Sequence, residues 1–184
     1  SSSAVESLKE GSIELWVKFD KEAAGIQGIL SRDAIYQENG GHITLARFES
    51  TVTTPSTQVL AGRLQAQITP ESNEAESIAC AKASSLHTWH HVVVTFGSQT
   101  SSPPHDDVEI YVDGVKGTNK TSKRYWLDCT HGVNQTTKGI AGNDNPWVLG
   151  ASTNSSTEGK ANNLGSPFVG AIDDLRIHKK RILP

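Results

Sequence analysis

Three histidines crowd the stretch "SSLHTWHHVVVTF" at 84–96, a density that raises the question of a metal site. On a helix, His87 and His91 would share a face four residues apart and could chelate zinc. The residues that follow, Val92, Val93, Val94, Thr95 and Phe96, are β-branched and aromatic and suit a pleated strand instead. On a strand His90 and His91 point to opposite faces, while His87 and His91 stand roughly 13 Å apart at about 3.3 Å per residue. No two of them can hold one ion together, so they read as structural or solvent-facing unless a distant loop supplies further ligands.

The acidic candidates are Asp173 and Asp174 in the closing stretch "FVGAIDDLRIH". Simple alternation sets Asp173 beside Leu175 and Ile177 on the core side, with Asp174 beside Arg176 and His178. A carboxylate on an apolar face is costly unless it is paired, hydrogen-bonded or metal-bound. Calcium takes hard oxygen ligands, which makes Asp173 the expected calcium ligand. Backbone N–H donors or an arginine would satisfy it equally well. Asp106, Asp107 and the "GNDNP" stretch at 142–146 are oxygen-rich, but turn formation explains both.

Saccharides present apolar C–H faces for stacking and hydroxyls for hydrogen bonding, so a sugar site needs exposed aromatics beside polar side chains. Tyr125 and Trp126 stand in an otherwise polar segment and are the first candidates, the alternative being that they pin that segment to the body of the protein. Trp16 lies opposite the apolar face of its strand and is the next. Arg47 and Tyr36 are secondary. Trp89 and Trp147 are expected in the core. For catalysis, the sequence contains no E-x-D-x-x-E strand of a glycosidase, no nucleophile elbow and no phosphate loop. The chain is read as non-enzymatic.

These side chains need strands to position them. "SIELWVKF" sets Ile13, Leu15, Val17 and Phe19 on one face and Ser12, Glu14, Trp16 and Lys18 on the other. "HITLARF" follows, then "GRLQAQIT", where Leu64, Ala66 and Ile68 oppose Arg63, Gln65 and Gln67. "WHHVVVTF" precedes "DVEIYVDGVKGT", two short strands joined at Asp113-Gly114, a pair that tolerates the positive φ of a tight hairpin. "PWVLGAS" and "FVGAIDDLRIH" complete the set. The polar segments 98–107, 118–145 and 152–166 read as long loops. No helix is expected, and regular strands with turn chemistry between them predict an antiparallel sandwich or barrel.

The chain has 184 residues and a net charge of −3, which suits one domain, 1–184, and offers no basic surface for nucleic acid. No apolar run reaches the roughly 20 residues of a membrane-spanning helix. The absence of methionine suggests a segment excised from a larger polypeptide. Cys80 and Cys129 lack the spacing of a metal knuckle and are expected to form one disulfide, the alternative being two free thiols. Together with glycosylation sequons at Asn119, Asn134 and Asn154, they point to a secreted or cell-surface protein.

Taken in order, "GSIELWVKFD", "GILSRD", "GRLQAQI", "TWHHVVVTF", "VEIYVDGVKGT", "PWVLGAS" and "FVGAIDDLRIHKKRIL" resemble the laminin G-like jelly-roll family of the concanavalin A-like lectin/glucanase superfamily. The resemblance runs from about Gly11 to Leu183. It implies a two-sheet antiparallel jelly-roll sandwich, an accessory or adhesive role in secreted proteins, and often a bound calcium. The function expected is therefore non-catalytic carbohydrate binding, with glycan or polysaccharide as partner. The alternative is a protein-interaction, adhesion or spacer module with no sugar site.

Overall fold

The structure is a computed structural model; it describes residues 8–22, 25–32, 42–48, 52–54, 57–59, 62–69, 76–97, 108–122, 140, 146–153 and 164–184. Among these no helix occurs. The strands in chain order are β1 (Glu10–Phe19), β2 (Ile26–Arg32), β3 (His42–Phe48), β4 (Val52–Thr54), β5 (Thr57–Val59), β6 (Arg63–Thr69), β7 (Glu76–Ala83) and β8 (Trp89–Gly97). They continue with β9 (Val108–Val112), β10 (Val115–Lys116), β11 (Thr118–Ser122), β12 (Val148–Leu149), β13 (Ser152–Thr153), β14 (Leu164–Gly165) and β15 (Gly170–His178). Two antiparallel sheets dominate: a five-stranded one in the order β10-β9-β8-β1-β15 and a six-stranded one in the order β11-β7-β6-β3-β2-β12.

The period-2 pattern explains why the sheets stack. Ile13, Leu15, Val17 and Phe19 of β1 are each at most 1% exposed, and Val92, Val94 and Phe96 of β8 are fully buried beside them. They meet Ile43 and Leu45 of β3, Leu64, Ala66 and Ile68 of β6, and Ala79 and Ala81 of β7 in one cluster. Two sheets that each bury one face in this way form a sandwich core. Leu8 and Ile140 join the cluster and exchange two backbone hydrogen bonds of 2.8 and 2.7 Å. The expected hairpin is present: Asp113 and Gly114 adopt φ of +52° and +76°, which suit a two-residue turn between β9 and β10.

Expectations about local structure are corrected at the ends of 152–166, read as loop, which form the paired β13 and β14, and at two further places. The 118–145 segment is not wholly a loop, because 118–122 forms β11 and pairs with β7 through Thr118–Cys80 to Ser122–Glu76. Its Thr, Asn and Lys composition hides a strand whose stability comes from the partner rather than from its own propensity. Asn119 accordingly lies in a strand. The second correction concerns β15. Its pairing with β1 slips between Glu14 and Trp16, and Asp174 takes φ of +50° in the bulge. One inserted residue resets the alternation. Ile172, Leu175 and Ile177 all pack against the core, and Asp173 and Asp174 are both exposed.

Past β15 the chain folds back over the outer face of the five-stranded sheet. Ser12 Oγ donates to Lys180 O at 3.0 Å and accepts from Ile182 N at 2.8 Å. Arg181 donates to Gly97 O at 3.0 Å and pairs with Glu109 at 2.9 Å, both side chains being 6% exposed. Glu109 also accepts from Lys116 Nζ at 2.6 Å and from Tyr111 OH at 2.9 Å. Burial alone raises the Glu109 carboxyl, but the bonds from Lys116 and Tyr111 and the charge of Arg181 outweigh it and hold it below its ordinary value of 4.5. Burial, together with the bond to Glu109, pushes the Tyr111 phenol up to about 12.

Glu109→Gln is expected to cost about 3 kcal/mol, the usual loss when one partner of a buried pair is removed. Because the carboxyl is depressed on folding, its contribution is complete above pH 4.5 and drains as the pH falls below that value. The gap between wild type and variant in urea melts therefore narrows on acidification. A gap independent of pH would remove Glu109 as the ionised anchor of the tail.

Candidate functional site

The tail divides the outer face of the five-stranded sheet in two. Under it, Ser12, Thr95 and Glu109 are 0–4% exposed. Beyond it the face is open, and β1 sets the register of its three rows. Lys18 stands opposite Trp89 and Ala171, Trp16 opposite His91 and Asp173, and Glu14 opposite Val93 and Arg176. Trp16 and Trp89 are each 41% exposed, which is high for the largest apolar side chain. They occupy a diagonal cross-strand position, a separation of about 7 Å along the sheet.

Local contacts orient these rings. Trp16 lies against the His91 imidazole with centroids 5.1 Å apart and planes at 39°. Lys18 Nζ stands 5.8 Å from the centroid of Trp89 and 3.3 Å from Asp20. His91 is itself held by Glu14, whose two oxygens bond His91 Nε2 at 2.9 Å and His178 Nε2 at 3.0 Å. The carboxylate thus ties β8, β1 and β15 together in the row next to Trp16. The His91 bond and, after the opposing effect of burial, the His178 bond hold the Glu14 carboxyl below its ordinary value. Arg176 pairs with Asp174 at 2.7 Å, and Asp173 Oδ1 accepts the Asp174 N–H at 2.8 Å. Two aromatic faces bordered by an ammonium, a guanidinium and carboxylates can stack on an apolar ring and hydrogen-bond its substituents.

The residues expected to carry function are scattered. Trp16 and Asp173 share the open face. Arg47 does not: it is 3% exposed, donates to Ser84 Oγ and O at 3.0 and 3.2 Å, and lies 4.8 Å over the Phe19 ring. Cys80 is buried in β7 and is not a free thiol. Tyr36, Tyr125, Trp126 and Cys129 lie outside the described residues, as do Asp106, Asp107 and 142–145. The three histidines part company: His87 is an exposed loop residue with φ of +59°, His90 faces inward toward Asp113, and His91 faces Glu14. Among the described residues, no three His, Cys, Asp or Glu side chains gather as a metal site.

Trp147 packs against the core as expected, with the Arg32 guanidinium 5.5 Å over its ring. Trp89 was expected there too and is not. Its parity with His91 and Thr95, opposite His90, Val92 and Val94, is the signal that assigns it to the outer face. Lys18, His91 and Arg176 are the other members of the site that sequence reasoning passed over.

A family model described as the Concanavalin A-like lectin/glucanases superfamily, of the laminin G type, matches residues 2–184. The chain belongs to that superfamily. No curated protein sequence matches it. Among solved structures, the CBM40 of the Ruminococcus gnavus IT-sialidase superposes with a TM-score of 0.60 at 16% identity, covering 98% of this chain and 81% of that one. The same module bound to α2,3-sialyllactose gives a TM-score of 0.60 at 16% identity, covering 98% and 80%. The leech intramolecular trans-sialidase matches with a TM-score of 0.55 at 14% identity, covering 97% of this chain and 22% of that one. At these identities the likeness establishes the superfamily jelly roll as the shared architecture.

Glu14→Gln is expected to lower stability by under about 1 kcal/mol, as for other partly exposed pairs, while raising the acrylamide quenching of Trp16. A Trp16 fluorescence unchanged by the substitution would separate the carboxylate from the ring it is argued to orient.

Proposed function

We propose that the chain is a carbohydrate-binding module of an extracellular protein, and that it seats a saccharide on the open half of the five-stranded sheet without cleaving it. The observation that carries the reading is the diagonal pair of exposed tryptophans, Trp16 and Trp89, on a rigid sheet face. Each ring can cover the C–H face of one sugar unit. Lys18, His91, Asp173 and Arg176 border them with donors and acceptors for hydroxyl or carboxylate groups. The fold neighbours bound to sialyllactose support a glycan as the class and make sialylated oligosaccharides the first to try. Calcium enters this reading through Asp173, whose exposed carboxylate stands at the edge of the tryptophan pair.

The test is a glycan array with wild type, Trp16→Ala and Trp89→Ala, in calcium and in chelator. Each substitution is expected to weaken binding about tenfold, equivalent to about 1.4 kcal/mol, with little change in the melting curve. Loss of binding in chelator would support the calcium. A blank array for wild type would favour a protein-interaction or spacer role. Retained affinity in both variants would move the sugar off this face.

We also propose that Cys80 bonds Cys129, which suits an oxidising extracellular setting. Non-reducing peptide mass spectrometry is expected to recover the two cysteines as one linked pair, and two alkylated thiols would overturn the assignment.

A further inference from the structure

A second constellation, unused by the tryptophan face, lies at the end of the sandwich. Ser85 is exposed in the turn between β7 and β8, and its Oγ is 3.1 Å from Nε2 of His90. His90 is the inward-facing member of the Trp89, His90, His91 series, with a side chain 10% exposed. Its Nδ1 lies 2.7 Å from Oδ2 of Asp113. The other carboxylate oxygen, Oδ1, accepts the His91 N–H at 2.9 Å, and the Asp113 N–H donates to His91 O at 2.9 Å. The tight hairpin turn therefore fixes the carboxylate against the start of β8. Burial raises the Asp113 carboxyl, but the His90 and His91 bonds prevail and keep it below its ordinary value, hence ionised at neutral pH.

An ionised carboxylate only accepts, so Nδ1 carries the hydrogen shared with Asp113, and in the neutral ring Nε2 is the acceptor that faces the Ser85 hydroxyl. We propose that Ser85 is an activated nucleophile, with His90 as its general base and Asp113 as the positioning residue, and that it accepts the acyl group of a small carboxylic ester. Such a set is recognised by geometry and roles, not by chain order. The Ser85 Oγ attacks the carbonyl carbon while its proton passes to His90 Nε2. The carbon–oxygen bond to the leaving alcohol then breaks, and that alcohol takes the proton from Nε2. Water, deprotonated by His90, releases the carboxylic acid and restores Ser85. The Ser85 carbonyl stands 3.3 Å from Nε2 and can accept its N–H while His90 holds the proton.

The test is labelling of the intact protein with a fluorophosphonate probe, read by peptide mass spectrometry. Here the Oγ–P bond forms, the P–F bond breaks, and the proton leaves through His90 with fluoride. Ser85 is expected to label at least about tenfold faster than any other serine in the chain, and Asp113→Asn to slow it at least about tenfold. If Asp113→Asn melts early, Ser85→Cys carries the test, since it leaves the hairpin untouched. Its thiol should alkylate with iodoacetamide at least about tenfold faster in the folded protein than in urea. Labelling no faster than at the other serines, or equal alkylation folded and unfolded, would overturn the proposal. His90 would then stand as a structural tie between the Ser85 turn and the Asp113 hairpin.

Discussion

Strand β1 has to satisfy two environments at once, and the rest of the molecule is arranged around that demand. Its Ile13, Leu15, Val17 and Phe19 enter the core with at most 1% exposure, each contributing roughly 1.5–3 kcal/mol of burial. Because β1 lies between β8 and β15, their outward residues are assigned by the same register. A slip of one residue would put Glu14, Trp16 and Lys18 into the core, so packing on one side specifies the chemistry on the other.

The outer face then divides according to what covers it. Where the C-terminal tail lies, the sheet tolerates Glu109 and Thr95 at 4% exposure or less because Arg181, Lys116 and Tyr111 satisfy the carboxylate. Where the tail stops, the face holds tryptophans with water on one side and the sheet on the other. Large aromatics kept half-exposed on a rigid strand face lose little entropy on binding, since neither backbone nor rotamer has to be ordered further. The His91 and Glu14 contacts extend that preorganisation to Trp16.

Strand β8 serves both candidate sites. Trp89 and His91 look outward to the open face, and His90 between them looks inward to Ser85 and Asp113. The two constellations share a backbone but no side chain, so one can be altered with the other left in place. The bulge at Asp174 does comparable work at the opposite edge: it turns a carboxylate that alternation would bury into a member of the open face.

Alternation in the sequence was enough to determine an antiparallel sandwich or barrel, the core faces of β1 and β6, and the Asp113-Gly114 hairpin, because each depends on neighbours at fixed short spacing; the two-sheet jelly roll followed from the family resemblance. It also placed Trp16 outward, and the same parity would have placed Trp89. What the tertiary structure alone decided were the features that depend on a distant partner. β11 exists because β7 offers it a ladder, and Asp173 is exposed because a bulge intervenes. Arg47 is interior because Phe19 and Ser84 receive it. Ser85, His90 and Asp113 meet only because a hairpin turn is pressed against the start of a strand more than twenty residues away. A local pattern records which face a side chain takes, whereas long-range packing selects what it finds there.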